Sequence, residues 1–428
     1  MSPRKRTSRG AALALAVVLA LAGCTAGRAE TPPAKPWTGR TVAASPAASP
    51  PPRFLGSPER LLDEREAMYP RLIRLRDGRI LLSVATSSGK GITDMARIYE
   101  SADEGRTFRP LADIRDPAAS EGRGGCCGSL LELPGPSGAL LWAGVAGMKN
   151  HAPGRRAELR VWRSLDAGRT WAYLSSCAIA SDGTPWNRGL WEPELTIDAR
   201  GRLVCYYADE TEPGHDQVIA AAVSTDGGVT WTSRTVVVAP GRHDRPGMPV
   251  VRRLADGSYL MVYELCGRIE GVACAVHLRR STDGWNWGAP AGRGAAVRTV
   301  DGGYLHHAPT LVWAPGGGPA GRLLLVGGLL RDTRGKLARP ASGETILMST
   351  DGGHGRWFQH PAPVRVAFSV RPDHFEVVCA NYSSSLLPLS GGAGLLEVAT
   401  KRSKDGRCRA FIATAPLPLA AAPDRTQG

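Results

Sequence analysis

The chain has 428 residues, of which 43% are hydrophobic and 21% are charged, and its formal net charge is +14. About 360 residues remain once both ends are set aside, which exceeds the usual single domain but suits a repeat or barrel architecture. The arginines are scattered and form no aromatic–basic stripe, so the charge indicates a solvated surface and nucleic-acid binding is not expected.

The first 24 residues predict an export signal. A basic start is followed by an apolar run over residues 11–22, which is too short for an ordinary membrane span. The run ends in "LAGC", which resembles a bacterial lipoprotein box and implies that Cys24 is lipidated. The alternative is an ordinary signal peptide cleaved nearby. Either way we expect an extracytoplasmic protein, lipid-anchored to the outer face of the bacterial cell membrane through Cys24 alone, or secreted.

Residues 25–55 are rich in Pro, Ala, Ser and Thr and predict a flexible linker. A similar composition predicts a flexible tail over residues 417–428. The folded domain is therefore expected over residues 56–416, and we expect it to be a monomer.

Nine cysteines are present, so eight remain if Cys24 carries lipid, an even number in an oxidising compartment. Spacing alone does not fix their connectivity. Cys266 with Cys274 and Cys379 with Cys408 are candidate pairs, and the adjacent Cys126 and Cys127 are candidates for a vicinal disulfide. The cysteine and histidine spacing predicts no metal site.

A short pattern recurs at intervals of about 60 residues, which is typical of a repeat architecture. It reads "SADEGRTF" from Ser101, "SLDAGRTW" from Ser164, "STDGGVTW" from Ser224, "STDGWNW" from Ser281 and "STDGGHGRW" from Ser349, with a degenerate copy, "SKDGRC", from Ser403. The aspartate can accept hydrogen bonds from its own turn, and the glycine can supply a positive φ angle. A calcium loop would need more carboxylates, and is the less favoured alternative.

Two apolar strands precede each copy, for example "WEPELTI" and "RGRLVCYY". These two strands form one hairpin, and two further strands joined by the Ser–Asp turn form a second, so that each unit is a four-stranded blade. Six such blades predict an all-β fold, a six-bladed β-propeller, which leaves few sheet edges exposed. The last blade ends early, so we expect the segment before Met68 to supply its missing strand.

In a propeller, the first strand of each blade lines the central channel, and the second strand returns to the same rim. First-strand starts and second-strand ends are therefore the candidate pocket residues: Tyr69, Arg71, Cys126, Cys127, Trp191, Glu192, Glu194, Tyr206, Tyr207, Asp209, Arg245, Met248, Glu264, His306, His307, Arg331, Asn381 and Tyr382.

Three acids stand out in this set. Glu192 and Glu194 alternate along one strand and are expected on one face, and Glu264 reaches the same rim from the neighbouring blade. Two facing carboxylates are the minimum apparatus for glycoside hydrolysis. One must hold a proton, which burial beside Trp191 favours, while the other must stay ionised. The alternative is a ring of structural salt bridges.

The segments "WEPEL", "GRLVCYYADE", "STDGGVTW", "RPGMPVV" and "GSYLMVYE" resemble glycoside hydrolase family 93, the exo-1,5-α-L-arabinanases, and the Ser–Asp turns resemble the Asp-boxes of sialidase-type propellers. The resemblance covers most of residues 65–415. It implies a retaining enzyme with Glu192 as acid/base and Glu264 as nucleophile, their carboxyl groups about 5–5.5 Å apart. It also implies that Glu194 supports this pair without being one of the two catalytic acids. It also implies that the Asp-boxes lie away from the active face.

The same reading assigns a polysaccharide or oligosaccharide of arabinan type as substrate, and no metal or organic cofactor. Trp191, Tyr206, Tyr207 and Tyr382 are expected to stack on or position sugar rings. The remaining candidate substrate-binding residues are Tyr69, Arg71, Glu194, Asp209, Arg245, His306 and His307. The entry "EGRGGCCGSLLEL" departs from the family pattern.

Two alternatives stay open. A sialidase would clamp a carboxylate substrate with three arginines, but Met68 stands where the first is expected. A non-catalytic glycan-binding propeller would share the fold, but would have no need of both Glu192 and Glu264.

Overall fold

A computed structural model describes residues 54–86, 94–116, 125–147, 156–181, 184, 188–232, 234–267, 274–369, 372 and 374–417. The predicted signal sequence, Cys24, nearly all of the predicted linker and the predicted tail beyond residue 417 lie outside these residues. Within the described part of the chain, no helix is long and apolar enough to cross a membrane.

The first half of the chain forms an N-terminal strand and three four-stranded antiparallel blades. The N-terminal strand is β1 (Ser57–Leu61). Blade 1 contains β2 (Met68–Arg74), β3 (Ile80–Ala85), β4 (Asp94–Ser101) and β5 (Arg109–Arg115); blade 2 contains β6 (Gly125–Glu132), β7 (Leu140–Ala146), β8 (Glu158–Ser164) and β9 (Ala172–Ile179); blade 3 contains β10 (Leu190–Ile197), β11 (Leu203–Asp209), β12 (Val218–Ser224) and β13 (Thr235–Val238).

The second half forms the other three blades. Blade 4 contains β14 (Asp244–Arg253), β15 (Tyr259–Gly267), β16 (Ala275–Ser281) and β17 (Ala295–Ala296), and its sheet is extended by β18 (Tyr304–His306) and β21 (Leu329–Arg331); blade 5 contains β19 (Thr310–Ala314), β20 (Arg322–Val326), β22 (Thr345–Ser349) and β23 (Phe358–Pro361); the short helix α1 (His374–Cys379) precedes blade 6, which contains β24 (Ser385–Pro388), β25 (Gly394–Arg402) and β26 (Cys408–Pro416).

The N-terminal strand completes blade 6. Strand β1 pairs antiparallel with β26, with Leu61 opposite Phe411 and Ser57 opposite Thr414. The hydroxyls of Ser57 and Thr414 are 2.7 Å apart. The six blades form a β-propeller, as predicted, and the expected source of the missing strand is confirmed. Closure gives blade 6 its fourth strand and joins the two ends of the described chain in one sheet.

The recurring Ser–Asp turns follow the third strand of each of the first five blades. In the first turn, Asp103 accepts hydrogen bonds from the backbone of Thr107 at 2.8 Å and from its hydroxyl at 2.6 Å, while the Ser101 hydroxyl accepts from Gly105 at 2.9 Å. The equivalent bonds from Thr170 lower the pKa of Asp166 to about 2. These carboxylates are therefore occupied by their own turns.

The copy at Ser403 is not equivalent to the others, which corrects its assignment as a sixth repeat. It lies between β25 and β26, the second and third strands of blade 6. The reason is topological: the fourth strand of this blade is β1, from the opposite end of the chain, so no hairpin joins the third strand to the fourth.

The core lies between the faces of neighbouring blades. Between blades 3 and 4, for example, buried residues of β11 and β12 pack against β14 and β15. The central strands of the blades are almost entirely buried. Such packing between sheets holds the inner strands at fixed positions around the channel, so their first residues form a rigid rim.

Candidate active site

Four blades share one irregularity at the start of the inner strand. In β2, β6, β10 and β14 the pairing register shifts, as in a β-bulge. The residue at the bulge has a positive φ angle and precedes a proline or a glycine. These residues are Tyr69 (φ 50°), Cys127 (φ 61°), Glu192 (φ 46°) and Met248 (φ 52°). Such a conformation is costly for a residue with a side chain, and bulges re-aim side chains beside functional sites.

The second strand supplies a matching position opposite each bulge. Before the register shift, Met68 faces Ala85, Cys126 faces Val145, Trp191 faces Ala208 and Gly247 faces Glu264. Three blades thus place a small apolar residue there, whereas blade 4 places a carboxylate that is only 6% exposed. A buried acid at a position that the repeat fills with alanine or valine is not required by the fold. An alignment of the repeats in the sequence could have revealed that Glu264 replaces a small apolar residue at this position.

Glu192 and Glu264 approach each other across the gap between blades 3 and 4. The Glu192 carboxylate accepts a hydrogen bond from the backbone N–H of Met248. Met248 follows Gly247, which lies opposite Glu264 in the sheet. A methyl group at Gly247 would be 3.5 Å from Oε1 of Glu264. Burial and the negative charge of Glu264 raise the pKa of Glu192 to about 8, so Glu192 carries a proton at neutral pH.

Glu264 has the opposite ionisation. Burial by itself would raise its pKa, but the charge and hydrogen bond of His307 and the hydrogen bond from the backbone of Ala308 bring the pKa below its ordinary value. Ala308 N lies 2.8 Å from Oε2, and His307 Nδ1 also contacts Oε2. Among the described residues no hydrogen bond ends on Oε1. One carboxylate oxygen is therefore held while the other is left for a reacting partner.

The expected separation of about 5–5.5 Å between the two carboxyl groups stays a prediction.

His307 is fixed by its backbone and its ring. Its N–H donates to the carbonyl of Cys274 at 3.0 Å, and its own carbonyl accepts from Gly328 at 2.8 Å. Despite burial, which lowers it, the pKa of His307 is raised by the charge of Glu264 and the hydrogen bond to it. The neighbouring His306 behaves differently, because burial and the charge of Arg331 lower its pKa to about 4.

Aromatic rings continue the pocket toward blades 6 and 1. The Tyr382 ring lies 5.4 Å from the His307 ring and 6.2 Å from the Tyr69 ring, measured between centroids. The Arg71 guanidinium lies over the Tyr69 ring at 3.9 Å and donates to Ser383 Oγ at 2.9 Å. Burial and the charges of Glu192 and Glu264 raise the pKa of Tyr382 well above its ordinary value, so its hydroxyl stays protonated.

A second polar group, missed at the sequence level, lies on the blade 3 side. Glu210 accepts hydrogen bonds from Trp191 Nε1 at 2.8 Å and from the backbone of Gly189 at 3.0 Å. Arg245 donates to Glu210, and also to Gln217 Oε1 at 2.7 Å. The charge of Glu210 contributes to the raised pKa of Glu192. The only sequence signal was the position of Glu210 directly after the second strand of blade 3.

Glu194 is separated from Glu192, although the two were expected on one face. The bulge between Trp191 and Glu194 breaks the alternation of the strand. Glu194 is 3% exposed and pairs with Arg252 while accepting from Ser129 Oγ at 3.3 Å. It lines a cavity of about 360 Å³ in the central channel to which all six inner strands contribute, and Glu192 does not line that cavity.

Two predicted substrate-binding residues, Tyr206 and Tyr207, lie inside the blade interfaces, which corrects their placement at the pocket; a third, Asp209, is the last residue of β11 and is covered by Arg234. Tyr206 is 0% exposed and accepts a hydrogen bond from Trp287 Nε1 at 2.9 Å. Tyr207 is 1% exposed and packs in the cluster between blades 2 and 3, and Asp209 is 0% exposed and pairs with Arg234. A second strand is flanked on both sides, so its side chains face the neighbouring blades and only its last residues reach the rim.

The described cysteines form four disulfides. Cys126–Cys127, Cys266–Cys274 and Cys379–Cys408 were the predicted candidates, and the fourth is Cys177–Cys205. Donor atoms of Cys266, Cys274 and His307 lie within 4.8 Å of one another. The two sulfurs are bonded to each other, so they are not free to act as metal ligands. This disulfide instead supports the backbone that holds His307.

The sequence matches no protein-family model and no curated protein. Solved structures do resemble it. An α-L-arabinanase of Penicillium chrysogenum complexed with arabinobiose has a TM-score of 0.67 and 24% identity, over 84% of this chain and 98% of that chain. An α-L-arabinofuranosidase of Fusarium graminearum complexed with an iminosugar inhibitor has a TM-score of 0.66 and 22% identity, over 83% of this chain and 94% of that chain.

The sialidase of Trypanosoma rangeli is more distant, with a TM-score of 0.52 and 14% identity over 82% of this chain and 55% of that chain. At these identities the likeness establishes the fold, which is the six-bladed propeller shared with arabinanases and sialidases.

Proposed function

We propose that the protein is a retaining glycoside hydrolase in which Glu192 is the acid/base and Glu264 the nucleophile. The observation that carries the proposal is the opposite ionisation of two neighbouring carboxyl groups, the partly buried Glu192 and the buried Glu264. Retaining glycosidases need one protonated and one ionised carboxyl group at the start of the reaction. A structural salt-bridge ring would instead pair each acid with a cation, whereas Glu192 accepts its hydrogen bond from a backbone N–H.

In the first step, Oε1 of Glu264 attacks the anomeric carbon while Glu192 gives its proton to the departing glycosidic oxygen. The contacts of His307 and Ala308 with Oε2 orient the nucleophile and keep it ionised. The ground state therefore already has a proton on the acid, Glu192, and none on the nucleophile, Glu264, as the first transition state requires.

In the second step, Glu192 acts as a base toward water. Part of its raised pKa comes from the charge of Glu264. A covalent bond between Glu264 and the sugar removes that charge, so the pKa of Glu192 falls as the intermediate forms. Glu192 can then take a proton from the water that attacks the anomeric carbon, which regenerates both carboxyl groups and retains the configuration.

The substrate we propose is an arabinan-type polysaccharide, cleaved from its end. Support comes from the structural likeness to an arabinanase and to an arabinofuranosidase, both solved with arabinobiose, and from the partly exposed rings of Trp191 and Tyr382 beside the acids. A sialidase remains the second candidate. Its carboxylate clamp is disfavoured because Arg71 and Arg245 are engaged by Ser383 and Glu210.

The test is product analysis with the purified full-length protein and linear 1,5-arabinan. We expect release of a short arabinose oligomer, its loss in Glu264→Gln, and an unchanged product yield in the control Glu194→Gln if that variant folds. Product from Glu264→Gln would reject the nucleophile and retain the substrate. No product from the wild type would redirect the test to sialosides, and then to a glycan array for the binding alternative.

A further inference from the structure

The vicinal disulfide occupies the blade 2 equivalent of the position that Glu192 occupies in blade 3. Cys127 and Glu192 have similar positive φ angles. The register shift lies between Cys126 and Ser129 in one strand and between Trp191 and Glu194 in the other. By this equivalence Cys126 corresponds to Trp191. The two sulfurs therefore belong to the same rim as the carboxyl pair, on the adjacent blade.

The rim residues form one apolar cluster that receives a member from every blade. Its buried members include Tyr69, Cys127, Met248 and Ala308, and the partly buried residues packed against it include Met68, Cys126, Trp191 and Tyr382. Cys127 is 7% exposed, whereas Cys126 is partly exposed. Of the two residues, Cys126 is therefore the more accessible one.

The backbone beneath the disulfide has no room to withdraw. A methyl group at Gly128 would be 2.3 Å from the Trp142 ring, and one at Gly125 would be 2.1 Å from the sulfur of Met95. Trp142 and Met95 are themselves buried in the cluster between blades 1 and 2. A covalent ring formed by two adjacent residues on such a support is a preorganised surface. A ligand that packs against it therefore restricts few additional rotatable bonds of the protein.

We propose that the Cys126–Cys127 disulfide is a substrate-positioning surface, on which the C–H face of a sugar ring packs beside the carboxyl pair. This inference rests on the proposed glycosidase function and extends it to a residue pair outside the catalytic blades. Sugar rings have apolar faces between their hydroxyl groups, and ligand pockets are lined mainly by apolar groups with a few polar ones.

The test compares two double variants on a defined linear arabino-oligosaccharide. Cys126→Ser/Cys127→Ser removes the covalent ring and its apolar surface, while Cys126→Ala/Cys127→Ala removes the ring and keeps an apolar surface. The control is Cys379→Ser/Cys408→Ser, which breaks a buried disulfide of blade 6. We expect KM to rise about tenfold in the serine pair and less in the alanine pair, with kcat within about twofold of the wild type. The control should leave KM unchanged.

An unchanged KM in the serine pair, or an equal change in the control, would overturn the inference. If the serine pair does not fold, a crystal structure of Glu264→Gln with arabinobiose decides instead. A sugar carbon within about 4.5 Å of a Cys126 or Cys127 sulfur supports the inference, and a sugar bound elsewhere overturns it. A wild-type protein that cleaves no arabino-oligosaccharide rejects the proposed function, and this role with it, before any cysteine variant is measured.

Discussion

Replacing His307 with glutamine tests whether this imidazole keeps the proposed nucleophile ionised. In the wild type His307 and the Ala308 amide both contact Oε2 of Glu264. Glutamine keeps a neutral donor but removes the positive charge. A hydrogen bond between charged groups contributes roughly 1.5–3 kcal/mol, and about 1.36 kcal/mol corresponds to one pKa unit. The pKa of Glu264 should therefore rise by about one to two units, because burial then dominates.

The charge of His307 also lowers the pKa of Glu192. Both limbs of the pH profile of kcat/KM should therefore move to higher pH in His307→Gln. The acidic limb reports Glu264 losing a proton, and the alkaline limb, near pH 8 in the wild type, reports Glu192 losing its proton. The two acids interact, so each limb gives an apparent value for the pair.

The assay is kcat/KM on an arabino-oligosaccharide between about pH 3 and pH 10. His306→Gln is the matched control. Because the pKa of His306 is lowered to about 4, its ring is neutral over most of this range and the variant should shift the limbs less. An acidic limb that stays in place in His307→Gln, or moves equally in both variants, would refute the electrostatic role of His307.

Two further outcomes are expected. Glu210→Gln should move the alkaline limb of the same profile to lower pH, because the charge of Glu210 raises the pKa of Glu192; an unmoved limb would show that the Trp191–Glu210–Arg245 group acts on orientation alone. Tyr206→Phe should lower the free energy of unfolding by about 1–3 kcal/mol, since Trp287 Nε1 loses its buried acceptor, while KM stays unchanged. Chemical denaturation and steady-state kinetics measure the two effects, and a raised KM would restore Tyr206 to the substrate site.

The repeat made the fold readable from the sequence. The Ser–Asp turn recurs because each blade needs the same hairpin, and its hydrogen bonds are local, between Asp103 and Thr107 for instance. Apolar runs before each turn gave the strands, and the early end of the last blade predicted the closing strand β1. The exception was Ser403, where a similar local sequence joins the second and third strands of blade 6, because the fourth strand of that blade is β1.

The positions of individual side chains were less predictable. Glu192 and Glu264 were predicted as the pair because the topology brings the start of β10 and the end of β15 to the same rim. Tyr206 and Tyr207 lie only one or two residues before Ala208, the β11 residue equivalent to Glu264, yet they are buried between blades. A sequence does not show how far a strand extends before its neighbours cover it.

The sequence by itself determined the propeller and its ring closure and indicated Glu192 and Glu264 as the candidate acids, because turn chemistry and strand periodicity depend on residues near one another in the chain. Only the tertiary structure decided the contacts and the ionisation of the two candidate acids. The bulge at Glu192 turns it away from Glu194, and His307 reaches Glu264 from a separate segment. Opposite ionisation arises from burial and from charges supplied by different blades, and these contacts exist only once neighbouring blades have packed together.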